Sequence, residues 1–184
     1  MADALEVLMT RRSVRNFLAD QVSDEDIRKI VDAGLHAATA MNRQSWHLTV
    51  VQDKELLEAL SGAVGAVLVD SGVPSLIERA RSSGFSSFHH APTVVFVAGD
   101  GSHYSAADCA NASQNMCLAA TALGMGSCYI GSFVQAFEHP SGKRLLDRFS
   151  LPVGYKPVFA IALGYPAQTE TSAKTRDWKV SYIR

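Results

Sequence analysis

Most features that would assign a function directly are missing from this sequence of 184 residues. No apolar run approaches the roughly 20 residues that span a bilayer, so no membrane role is expected. The first ten residues lack a basic start, and Asp3 and Glu6 interrupt their apolar positions. No export signal is read there, and a cytoplasmic location is the expectation. Cysteine is scarce: Cys109, Cys117 and Cys128 are odd in number and form no C-x-x-C pair. In a chain without an export signal this argues against a disulfide framework and a zinc site, and favours small apolar packing. Neither sign of charge dominates, with 17 Lys and Arg against 18 Asp and Glu. General attraction to nucleic acid or to a membrane surface is therefore excluded. There is no G-x-G-x-x-G after a strand, no Walker loop and no H-E-x-x-H. Gly124-Met125-Gly126 follows a helix, the wrong context for a dinucleotide fold. Adjacent His89 and His90 would point apart on a helix or a strand, which makes them a poor metal pair.

What is present is the profile of an ordinary globular domain, 47% apolar and 19% charged, and residues 1–184 are read as one domain. Leu5, Leu8 and Met9 share one face of a short N-terminal helix. Ser23 with Asp26 resembles a capping box, followed by Ile27, Ile30, Val31, Leu35 and Ala38 at helical spacing. Residues 47–52 and 93–98 read as strands, and 157–163 as another that ends at Gly164. A short helix carrying Leu56, Leu57 and Leu60 follows the first strand. Residues 105–123 form a long Ala-rich helix that stops at Leu123-Gly124. Helices and strands do not alternate regularly, so the fold class is α+β. Between residues 61 and 90, four glycines and seven serines break the periodicity. Apart from a helix over Leu76 to Arg81, this stretch is expected to be an irregular lid, with 71–90 shaping a substrate cleft.

Basic residues gather at both ends. Arg11, Arg12 and Arg15 lie near one terminus, and Lys174 and Arg176 near the other. They are either solvated surface or the two halves of one anion site. Four segments bear on the choice. They are Arg11-Arg12-Ser13-Val14-Arg15 followed by Phe17, Asn42-Arg43-Gln44-Ser45-Trp46, the run 108–131, and Leu163-Gly164-Tyr165-Pro166 followed by Lys174-Thr175-Arg176. In this order and at these distances, they resemble the nitroreductase family over nearly the whole chain.

The resemblance implies a central mixed or antiparallel sheet flanked by helices, in an interlocked homodimer that binds FMN at the subunit interface. It implies NAD(P)H as electron donor and a small electron-poor acceptor as the other substrate. FMN carries a phosphate of about −2 charge, which guanidinium groups match with bidentate hydrogen bonds. By resemblance Arg11, Arg12 and Ser13 meet the phosphate and ribityl chain, and Lys174 and Arg176 close on the same phosphate. Arg15 stands near the flavin N1 and C2 carbonyl, where negative charge collects on reduction. Asn42 and Gln44 supply amides to the polar edge of the ring, from the neighbouring subunit. The sequence departs from the family here, with Ser45 where proline is usual. Tyr129, Ile130 and Gly131 lie beside the ring, and a backbone N–H at or next to Gly131 donates to N5. No side chain is required as a catalytic acid or base. The resemblance also leaves open reductive dehalogenation, enoate reduction, oxygen-dependent flavin breakdown, or a flavin-binding module without turnover.

Overall fold

Ser23 does what its spacing predicts: its hydroxyl accepts from the Asp26 N–H at 3.1 Å, at the start of a helix. The computed structural model describes residues 3–168 and 175–184. Five α-helices are present among them: α1 (Ala4–Thr10), α2 (Asp24–Leu35), α3 (Lys54–Asp70), α4 (Pro74–Arg81) and α5 (Ser105–Ala122). The four strands are β1 (Trp46–Val51), β2 (Thr93–Gly99), β3 (Gly126–Ile130) and β4 (Lys156–Gly164). They form one sheet in the order β1-β2-β4-β3, and every pairing of these strands is antiparallel. The fold is α+β, as expected.

β2 has all seven residues buried, because both faces of the sheet are covered. On one face Val95, Val97, Ile161 and Leu163 pack against Ile27 and Ile30 of α2 and Met116 and Cys117 of α5. On the other, Phe96, Ala160 and Ala162 meet Leu56, Leu57 and Leu60 of α3, together with Phe88, Phe133 and Phe149. Trp46 is core, in the α2–α5 layer. All three cysteines are free and buried, in keeping with a packing role. Burial pushes the Cys109 thiol up to about 11, although a hydrogen bond from Ser105 opposes the shift. α5 ends where expected: Gly124 takes φ 75°, and Met125 N–H donates back to Ala120 O at 2.8 Å.

The expectation of an irregular lid over 61–90 is corrected. α3 continues to Asp70, whereas α4 at Pro74–Arg81 bears out the helix expected over Leu76 to Arg81, so the irregular parts are residues 71–73 and 82–92. Glycine costs about 1 kcal/mol inside a helix, which is why Gly62 and Gly65 read as breaks. Packing reverses that local preference, with Leu56, Leu57, Leu60, Ala63 and Val64 all buried on α3. A Cβ at Gly65 would lie 3.3 Å from the Phe85 ring, so a glycine there lets Phe85 lie against the helix. The hydrophobic face of α1 also behaves differently from an ordinary core face. Val7 is its one buried residue, and Leu5, Leu8 and Met9 are exposed in the single chain.

Candidate flavin site

The chain from Arg11 to Phe17 runs along the edge of the sheet. Ser13 forms a parallel bridge with Ser127 of β3, and Val14 N–H donates to Ser127 O at 2.9 Å. Phe17 then bridges Pro166, with Leu18 N–H on Tyr165 O (2.8 Å) and Ala167 N–H on Asn16 O (3.0 Å). Residues 16–18 and 165–167, from the first and last of the four sequence segments, therefore lie side by side. Lys174 falls outside the described residues. Arg176 is exposed, and its guanidinium donates to Thr175 O at 3.2 Å.

The three N-terminal arginines are not equivalent. Arg12 donates to Met9 O at 2.8 Å and to Arg11 O at 2.9 Å, so its guanidinium caps the end of α1. That role was not visible in the sequence, and it leaves Arg11 and Arg15 as the cations turned to other use. Among the described residues neither has a carboxylate within ion-pair distance. Both act on the buried Cys128 of β3, where burial raises the thiol pKa and the two positive charges oppose it. Arg11 acts in the same way on Cys117 of α5.

At the end of β3 the sequence expectation is refined. Ile130 points into the α3-side core, while Tyr129 packs on Phe159 at 4.9 Å in the other layer. Burial pushes the Tyr129 hydroxyl up to about 12, which keeps it neutral. These two residues thus turn their side chains inward and offer a ligand their backbone. Gly131 is exposed, and a Cβ there would meet nothing nearer than the Phe159 ring at 3.9 Å, so a planar group has room to approach its amide.

Asn42 and Gln44 form a second cluster. Gln44 Nε2 donates to Asn42 Oδ1 at 3.1 Å. Met41, Asn42 and Gln44 have φ of 53°, 53° and 51°, left-handed values that cost of order 1–3 kcal/mol each. The turn is held by Ala40 N–H on the buried Asp108 carboxylate (3.1 Å) and by Gln44 N–H on Thr39 Oγ1 (3.4 Å). Asp108 lies in the first turn of α5, whereas Ser127, the bridge partner of Ser13, lies beside Cys117 further along the same helix.

A model described as the Nitroreductase family matches residues 8–165 of this arrangement. The chain belongs to the nitroreductase family. A protein of Archaeoglobus fulgidus, provisionally named NADH dehydrogenase/NAD(P)H nitroreductase, is 31% identical over 90% of the chain and 87% of its own length. A nitroreductase crystal structure with bound FMN from Bacteroides fragilis superposes with a TM-score of 0.91 at 29% identity, covering both chains fully. Another from Desulfitobacterium hafniense, also with bound FMN, gives the same TM-score, identity and coverage. No described helix is long and apolar enough to cross a membrane.

One prediction tests the strand-edge geometry. A Cβ at Gly126 would lie 2.8 Å from Val14 Cβ, and this atom is fixed by its own backbone. In this nitroreductase-family protein, Gly126→Ala is expected to push residues 11–15 off β3. Overpacking of this kind costs about 1–3 kcal/mol. Denaturant unfolding should show that loss and a flavin titration a weaker complex; an unchanged titration would mean that residues 11–15 do not depend on β3 for their placement.

Proposed function

We propose that this chain passes a hydride from NAD(P)H to an electron-poor acceptor, a nitroaromatic or a quinone, by ping-pong turnover. Its family and its FMN-bound structural relatives make it an FMN-dependent NAD(P)H oxidoreductase. The acceptor and the order of steps are the proposal's own. The observation that carries it is the Ser13–Ser127 bridge. It sets two guanidinium groups, without acidic partners among the described residues, beside a strand that ends in the open backbone of Gly131.

When bound, FMN supplies the electron-transfer chemistry, taking a hydride at N5 from the donor and giving it to the acceptor. Arg11 and Ser13 hold its phosphate, and Lys174 and Arg176 close over it. Arg12 stabilises the helix end that carries them. Arg15 fixes positive charge by the pyrimidine edge, and the Gly131 amide donates to the ring. Asn42 and Gln44 serve the flavin of a second subunit, as the family resemblance implies. Exposed Leu5, Leu8 and Met9, with exposed Trp178, Val180, Tyr182 and Ile183, supply apolar surface for that subunit. Light scattering is expected to give twice the 19.8 kDa of one chain, and a monomer in the presence of FMN would contradict the shared site.

Steady-state kinetics test the reaction. Parallel double-reciprocal lines are expected when NAD(P)H and a quinone are varied together; intersecting lines, or no NAD(P)H oxidation with any acceptor, would overturn the proposal. Residues 71–90 are the segment proposed to shape the acceptor cleft. In support, Phe85, Ser86, Phe88 and His90 line a cavity of about 590 Å³ against Leu57 and Ser61 of α3. Replacing residues 82–86 by a short Gly-Ser linker is expected to change the relative KM of bulky and small acceptors. An untouched acceptor profile would remove this role.

A further inference from the structure

Asp108, Asn111 and Asn115 share one face of α5 and reach the strip that joins α2 to the amide turn. Asn115 Nδ2 donates to Ala33 O at 3.1 Å, one of the carbonyls that the last turn of α2 leaves without a partner of its own. Asn111 Nδ2 donates to Ala38 O at 3.0 Å, and Asp108 Oδ1 accepts from Ala40 N–H at 3.1 Å. Gly34 lets the two helices meet this closely, since a Cβ there would lie 2.8 Å from Met116 Cγ. Beyond the turn, Ser45 O accepts from Ser105 Oγ at 3.3 Å. The first turn of α5 thus grips both flanks of residues 41–44.

The backbone between these grips is strained. Met41, Asn42 and Gln44 are left-handed without being glycine, a conformation that persists only where its surroundings fix it. Residues 41–44 are exposed, so no packed core fixes it. The bonds that Gln44 makes to Thr39 Oγ1 and Asn42 Oδ1 lie within the same segment and move with it. Asp108 does not: it is 2% exposed, on a helix whose Cys109 and Ala112 are fully buried. Its other oxygen, Oδ2, is buried with no hydrogen-bond partner among the described residues. A carboxylate buried against one backbone donor is a poor stabiliser of a core. Its use lies in where it holds Ala40.

We propose that Asp108 is a positioning residue of the flavin site, keeping residues 41–44 in the left-handed form that presents Asn42 and Gln44 to FMN. The inference rests on the reading above that these two amides serve the flavin. A ligand that binds one conformation is weakened in proportion to the fraction of chains that hold it. Removing the Asp108 oxygen lowers that fraction, and FMN affinity falls with it.

The test is fluorescence titration of apoprotein variants with FMN. Asp108→Ala is expected to raise the Kd at least about fivefold, the effect of losing one hydrogen bond. Asp108→Asn keeps an accepting oxygen for Ala40 and should stay close to wild type. Met41→Asn separates positioning from general stability. Met41 is 79% exposed, so its side chain packs on little, and asparagine enters the left-handed region more readily. In wild type the turn is already formed and Met41→Asn should change little; added to Asp108→Ala it should recover most of the lost affinity. Asn115→Ala, which weakens the α2–α5 contact away from the turn, should lower the unfolding midpoint and leave the Kd unchanged. An unchanged Kd in Asp108→Ala, no recovery in the double variant, no benefit of Asp108→Asn over Asp108→Ala, or an equal loss in Asn115→Ala would each overturn the role. Gln44→Ala, titrated alongside, distinguishes this failure from failure of the reading beneath it. A loss there with none in Asp108→Ala overturns Asp108 alone, whereas no loss in either removes the turn from the flavin site and Asp108 with it.

Discussion

Arg11→Ala combined with Arg176→Ala is expected to weaken FMN binding by at least ~2 kcal/mol, about a 30-fold rise in Kd. A charge-assisted hydrogen bond contributes about 1.5–3 kcal/mol, and both guanidiniums are assigned to one phosphate. Arg11 stands on the sheet edge without an acidic partner among the described residues, so no internal ion pair compensates for its removal. Arg12→Ala is the natural control. Its guanidinium already serves Met9 O and Arg11 O, so its loss should lower stability more than it lowers flavin affinity. Fluorescence titration of apoprotein with FMN separates the cases. An unchanged Kd in the double variant would show that the two termini do not share a phosphate.

Phe96→Ala should cost about 3–5 kcal/mol of stability, the usual range for deleting a buried aromatic ring. Phe96 is 1% exposed on the central strand β2. Its ring meets Phe88 at 5.4 Å, Phe133 at 5.3 Å and Phe149 at 4.8 Å, all close to edge-to-face. Such pairs add about 0.5–1.5 kcal/mol beyond the area they bury. The loss is measured by denaturant unfolding of the apoprotein. Because Phe88 anchors the turn that carries His89, the variant should also loosen that turn, seen as faster amide exchange at residues 86–91. A loss under about 1 kcal/mol would mean that the surrounding rings close the cavity, against the close packing expected of an interior.

Short-range chemistry was readable before the fold was known. Ser23 needs only the Asp26 amide three residues on, and Gly124 needs only its own freedom at positive φ. The β-branched run of β2 announces a strand buried on both faces. α3 was readable only in part, since its second half depends on partners distant in sequence. Ser61 accepts from Ser87 N–H at 2.7 Å and Gly65 receives the Phe85 ring, and no local pattern contains either contact. The candidate site divides in the same way. The arginine and amide segments stand out by their order along the chain. That Arg12 caps α1 and that Tyr129 and Ile130 face inward are consequences of tertiary packing.

The central claim is that the Arg11–Arg15 edge and the Gly131 end of β3 hold FMN for hydride transfer. Anaerobic addition of NAD(P)H to the purified, FMN-reconstituted protein tests it most directly. The account predicts a yellow protein with one FMN per chain, whose visible absorbance bleaches on mixing and returns when a quinone is added. A colourless protein that cannot be reconstituted, or bound FMN that NAD(P)H fails to bleach, would contradict it.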